Sequence, residues 1–100
     1  MKVEYSKAFT KTVKKLSGKT LESVRATIEE IKDAENIEQL TGCVKLTGYK
    51  NVYRLRIGDL RAFFVFHILI KGDTVIFEYL VPRGHAYDKK TMDSLRKKDS

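Results

Sequence analysis

The chain has 100 residues, 20 lysines and arginines against 13 acidic side chains, and a formal charge of +7. That length suits one small domain spanning residues 1–100, and the basic excess favours a polyanionic partner such as RNA, DNA or an acidic protein. A single cysteine, Cys43, rules out an internal disulfide, and with only two histidines it makes no zinc signature. The longest apolar run, residues 62–70, is far short of the roughly 20 needed to cross a membrane. The charged start MKVEYSKAF lacks the apolar stretch of a secretion signal, so a cytoplasmic protein is expected.

KVEY at 2–5 alternates charged and apolar side chains and predicts a strand. Ser6 is placed to cap a helix running to about Leu16, with Phe9, Val13 and Leu16 on one stripe and Gly18 to stop it. Thr20 then caps a second helix to about Ala34, in which Leu21, Val24, Ile28 and Ile31 have the spacing of a buried face. So short a link predicts an antiparallel helix hairpin. Residues 36–40 suit one further helical turn, broken by Gly42.

From there the pattern turns to strands. Residues 43–48 form a candidate strand that opens on Cys43, read as a small apolar residue. In 51–58, Tyr53, Leu55 and Ile57 point one way and Arg54 and Arg56 the other. Gly58-Asp59 marks a tight turn, which Asp59 serves. Residues 60–70 are apolar on both faces, as expected of a central strand covered on both sides, with His67 as a hydrogen-bonded structural histidine. Residues 71–73 turn the chain and 74–81 return, with Glu78 expected in a salt bridge. Pro82 and Gly84 end regular structure and leave RGHAY, 83–87, exposed. A basic helix fits about Lys89 to Lys98, and its Arg96–Lys98 run reads as a solvated tail.

These elements predict an α+β fold: an N-terminal strand, then a helix hairpin packed on one face of a mainly antiparallel sheet of about four strands, then a C-terminal helix. The opposite face carries Arg54 and Arg56. Charge is unevenly placed: residues 1–44 hold eight basic and seven acidic side chains, residues 45–100 twelve and six. Five of the six arginines lie in the second part.

The order of elements, the segment YRLRIGDLRAFFVF at 53–66 and the ending RGHAY together resemble the RelE/ParE superfamily of bacterial type II toxins, from KVEYSKAF to Tyr87. The most specific part is the sequence of paired basic strand positions, Gly-Asp-x-Arg opening the next strand, and Arg-x-x-x-Tyr after the last. The resemblance implies a compact toxin held by a cognate antitoxin in a hetero-oligomer. For the RelE-like branch it further implies mRNA cleavage on the ribosome, with no metal or other cofactor and no membrane partner. Matched by motif, the basic pair is Arg54 and Arg56, the strand-opening arginine is Arg61, and the terminal pair is Arg83 and Tyr87. Many relatives have a histidine directly before the last arginine; this chain has Pro82 there, and His85 two residues after it.

RNA is cut when a 2′-hydroxyl attacks the adjacent phosphate, which requires charge stabilisation and proton transfer. Arginine forks suit the first task, so Arg61 and Arg83 are expected on the reacting phosphate and Arg54 and Arg56 on flanking RNA. Tyr87 and His85 are the candidates for moving protons. Two other readings stand beside this one, since a fold does not decide a function. One is a ParE-like toxin that binds DNA gyrase without chemistry, and the other an inactive relative that only binds RNA or an antitoxin.

Overall fold

The computed structural model describes residues 1–67 and 72–99. In chain order these form β1 (Lys2–Tyr5), α1 (Lys7–Val13), α2 (Gly18–Asp33), a short 3-10 turn at Ile37–Gln39, β2 (Cys43–Lys45), β3 (Val52–Ile57), β4 (Leu60–His67), β5 (Thr74–Pro82), a second 3-10 turn at Arg83–His85 and α3 (Lys89–Lys98). Among the described residues the sheet has five strands rather than about four, ordered β1-β5-β4-β3-β2. β1 runs parallel to β5, and the remaining neighbours are antiparallel. No described helix is long and apolar enough to cross a membrane.

Several boundaries differ from the sequence expectation. Ser6 does cap α1, its hydroxyl accepting from Phe9 N at 3.0 Å and donating to the Glu78 carbonyl at 2.6 Å. The helix stops at Val13 instead of Leu16, because Lys15 and Leu16 bond three residues back, to Thr12 and Val13, and so tighten the chain out of the α form. α2 begins at Gly18, where φ is +59°, and not at Thr20. β2 covers only half of the expected 43–48 strand. Residues 68–71, the end of the predicted long strand and the start of its turn, lie outside the described residues.

The β3–β4 hairpin closes through two residues, Gly58 and Asp59, with Ile57 facing Leu60. Gly58 has φ +57° and Asp59 does not share the positive sign, the pattern of a type II′ turn with glycine first. The order Gly-Asp is therefore the one this turn requires. A Cβ at Gly58 would meet nothing within 4 Å, so its cost is backbone strain alone. Gly58→Ala is expected to destabilise the fold by about 1 kcal/mol and to lower the melting midpoint by roughly 4–8 °C, read by thermal circular dichroism.

The sheet buries both faces. On one side Phe9 of α1 and Val24, Ile28 and Ile31 of α2 pack on Leu55, Ala62, Phe64, Val75, Phe77 and Leu80. On the other, Val52, Phe63 and Val65 pack with Leu46, Ala86 and Leu95. This double cover explains why β4 is apolar at every position from Ala62 to Phe66. The alternation slips once. Phe63 pairs with Tyr79 and Phe64 with Phe77, leaving Glu78 as the extra residue of a β-bulge. Phe77 and Leu80 consequently share the helix side, while Tyr79 and Val81 go to the other.

Candidate active site

The face opposite α1 and α2 is divided into a covered part and an open one. α3 closes the part where β3 begins and β4 ends. Its Leu95 is fully buried beside Val52, Phe63 and Val65. The Tyr49 hydroxyl donates to the Met92 carbonyl at 3.2 Å, and the Asp99 carboxylate accepts from the backbone of Lys50 and Asn51 at 2.6 and 2.7 Å. The Arg96 guanidinium lies 4.4 Å from the centre of the Tyr49 ring. Lys98 Nζ donates to Glu78 Oε1 at 2.8 Å. The Arg96–Lys98 run is thus not a free solvated tail: two of its three cations hold the helix down. Glu78 makes the expected salt bridge, with a lysine from α3; alternation from Phe77 already puts it on this side, and the bulge brings Tyr79 here as well.

Glu78 holds Lys98 above its usual value of 10.5, chiefly through their hydrogen bond and against the opposing effect of burial. A group whose folded value is raised lends its stability in full below the unfolded value and loses it as pH climbs through the folded one. The stability difference between the unaltered protein and Glu78→Gln is therefore expected to persist below pH 10.5 and to shrink above it. Denaturant midpoints across that range check this.

Toward the Gly58-Asp59 turn the same face is basic and open. Register sets Arg54 opposite Phe63 and Arg56 opposite Arg61, so all four share this side. Arg61 Nη1 donates to the carbonyls of Gly58 and Leu60, each at 2.9 Å, which leaves its other guanidinium donors for a ligand. The backbone N–H of Arg83 donates to the Asp59 carbonyl at 2.8 Å, mooring that residue to the same turn. Arg56 and Arg83 are exposed.

Tyr87 stands at the boundary, 57% exposed, its ring edge-on to Phe63 with centres 6.3 Å apart. Its hydroxyl accepts a hydrogen bond from Arg54 Nη1, and the same guanidinium is 5.8 Å from its ring centre. Arg54 is thus engaged with Tyr87. Its Nε is buried and has no hydrogen-bond partner, a cationic donor that an anion would satisfy. His85 has a different partner: its exposed Nδ1 is 3.3 Å from Asp88 Oδ2. Of the six residues singled out in the sequence, five gather at one end of this face, and His85 pairs apart from them.

Cys43 and His67, also weighed from sequence, contribute no contact to this cluster among those described. Burial pushes the Cys43 thiol up to about 11, so it stays protonated and inert at neutral pH. His67 closes β4, facing Thr74 and half-buried. Tyr49 and Met92 went unnoticed, although Met92 and Leu95, three apart, carry the apolar stripe of an amphipathic helix.

No family model matches this sequence. Toxin RelE3 of Methanocaldococcus jannaschii is 34% identical over 89 residues, covering 88% of this chain and 97% of that protein. The chain belongs to the RelE toxin family. Solved RelE structures share its fold. The RelB-RelE antitoxin-toxin complex from Methanococcus jannaschii superposes with a TM-score of 0.68 at 26% identity, covering 85% of this chain and 95% of that one. The archaeal RelE-RelB complex from Pyrococcus horikoshii OT3 gives 0.64 at 23%, with 85% and 97% covered. The isolated E. coli RelE toxin gives 0.63 at 13%, with 96% of each covered, and speaks for the fold alone. The named relatives include archaeal proteins, so this RelE likeness is not confined to bacterial toxins.

Proposed function

We propose that this RelE-family toxin cleaves messenger RNA on the ribosome, using the arginine–tyrosine end of the sheet. The observation that supports it is the gathering of Arg54, Arg56, Arg61 and Arg83 with Tyr87 on the part of the face that α3 leaves open. The substrate's 2′-oxygen attacks the neighbouring phosphorus and loses its proton to solvent, while the bond to the 5′-oxygen breaks. Arg61 and Arg83 hold the phosphate oxygens as negative charge builds on them. Because the Tyr87 oxygen already accepts from Arg54, its own proton is the one left to give to the departing 5′-oxygen. Solvent then restores the phenol, leaving a 2′,3′-cyclic phosphate and a 5′-hydroxyl. His85, joined to Asp88, is the alternative to solvent for taking up the 2′ proton, and Arg56 takes flanking backbone.

A cognate antitoxin is part of the proposal, since structural relatives were solved as RelB-RelE complexes. The test is cleavage of mRNA on translating ribosomes. Arg83→Ala is expected to slow it by about 10²–10³-fold, the effect of removing one donor from a growing oxyanion. Arg83 is exposed, so the melting midpoint should barely move. A gyrase supercoiling assay run in parallel addresses the competing reading. Inhibition there without any cut mRNA would replace ribonuclease chemistry with ParE-like binding.

A further inference from the structure

Aspartate is among the side chains that best cap a helix N-terminus, where it accepts from the free N–H groups of the first turn. Asp88 occupies that position on α3, and its carbonyl accepts from Met92 N at 3.0 Å. Its carboxylate, however, makes no capping bond. It turns instead to His85, with Oδ2 3.3 Å from Nδ1. We propose that Asp88 is a positioning residue for His85, and that His85, so held, takes the proton of the attacking 2′-hydroxyl in place of solvent. The inference rests on RNA being the substrate and names the residues that activate its nucleophile.

The chemistry follows from which ring nitrogen holds the proton. An ionised carboxylate only accepts, so its bond to Nδ1 requires the proton to be there. Nε2 is then left with a bare lone pair, the state a general base needs. When Nε2 takes the 2′ proton the ring becomes a cation, and the Asp88 charge beside Nδ1 stabilises it. The 2′-oxygen bonds to phosphorus, the bond to the 5′-oxygen breaks, and that oxygen collects the Tyr87 proton. His85 then sheds its proton to solvent and the phenolate regains one, so both groups end as they began.

Placement supports this role. Arg83, His85 and Tyr87 follow one another at two-residue steps, so neighbouring Cα atoms in the series are at most about 7 Å apart. The segment is fixed at both ends: the Arg83 N–H donates to the Asp59 carbonyl at 2.8 Å, and Ala86 is buried in the second core. The Asp88 N–H donates to the His85 carbonyl at 3.3 Å, so main chain and side chain tie the two residues together. Both side chains are exposed, where an ion pair adds little to stability and the ring stays open to RNA.

Two measurements test it. Long-range ¹H–¹⁵N NMR of the neutral imidazole rings reports which nitrogen is protonated, and with two histidines in the chain His85→Ala identifies the signals. The unaltered protein is expected to hold the His85 proton on Nδ1, Asp88→Ala to shift it to Nε2, and Asp88→Glu to restore the first form. In cleavage of mRNA on ribosomes, His85→Ala is expected to slow the chemical step by about 10²–10⁴-fold. Asp88→Ala should lower kcat by about 10–100-fold with KM nearly unchanged, the scale of loss when a histidine is deprived of the partner that orients it, and Asp88→Glu should recover most of it. The melting midpoint should barely move in any of the three. A His85 ring protonated on Nε2 in the unaltered protein overturns the proposal, whether or not mRNA is cut. A ring protonated on Nδ1 with undiminished cutting by His85→Ala also overturns it, and leaves the ribonuclease reading standing. If the unaltered protein cuts no mRNA, that reading falls and this role with it.

Discussion

Tyr87→Phe is expected to lower the turnover rate of ribosome-dependent mRNA cleavage by about 10²–10⁴-fold, the usual worth of a positioned proton donor. The loss should fall on kcat and leave substrate binding nearly unchanged, because the ring and its contact with Phe63 remain. Stability should hardly change, since the hydroxyl lies on an exposed side chain whose partner, Arg54, is also reachable by water. Arg54→Ala is a companion with the same direction and a different cause. It removes the group that fixes the Tyr87 hydroxyl and takes a cation from the face. Arg54→Lys keeps the charge but not the planar fork, so it should restore RNA affinity more than rate. Should Tyr87→Phe cut as fast as the unaltered toxin, the proton comes from elsewhere, and His85→Ala becomes the decisive variant.

Leu95→Ala is expected to destabilise the protein by about 2–5 kcal/mol, the cost of deleting a fully buried leucine side chain. That is a large share of the roughly 5–15 kcal/mol by which domains are stable. Leu95 is the buried residue of α3 and sits in the second core with Val52, Phe63 and Val65, with Met92 packed against the same core one turn earlier. Urea titration separates two outcomes. A lower midpoint with an unchanged slope means that α3 unfolds together with the sheet. A shallower slope means that α3 detaches first and the remainder unfolds on its own. The polar anchors at Asp99 and Lys98 and the apolar anchors at Leu95 and Met92 favour the first outcome, since they bind α3 to β5 and to the chain between β2 and β3.

How far the sequence spoke can be followed residue by residue. Strand parity in 51–58 was enough to place Arg54 and Arg56 on one side and Leu55 and Ile57 on the other, since nothing interrupts the pleat between Val52 and Ile57. Uninterrupted apolarity from Ala62 to Phe66 likewise foretold two covers. Parity failed in β5, where alternation puts Phe77 with Tyr79; the extra residue at Glu78 reverses the sides from there on. A bulge of this kind leaves no composition signal, because its cause lies in the strand across from it.

The C-terminal helix was legible as a helix but not as a cover. Its fate depends on pairings across 20 and 48 or more residues, Lys98 with Glu78 and Asp99 with the backbone of Lys50 and Asn51. A run of three cations looks the same whether it meets water or a buried carboxylate. At the candidate site, motif order singled out the arginines and Tyr87, which the fold brings to one end of the sheet. It did not reveal that Arg54 holds the phenol, since no spacing rule connects a strand residue to one 33 positions later. Nor could it separate His85 from the cluster, for Asp88 three residues on is simply its nearer partner.

The β3–β4 turn has one more consequence. Two residues, Gly58 and Asp59, supply carbonyls to both proposed phosphate ligands: Gly58 to the Arg61 guanidinium and Asp59 to the Arg83 backbone. The Arg61 guanidinium and the Arg83 main chain are thereby tied to the same two-residue loop. Part of the entropy of ordering this end of the sheet is spent when the hairpin closes during folding. Under the proposed ribonuclease reading, a phosphate meets an Arg61 already held at the turn, and less of its binding energy goes into ordering that side chain.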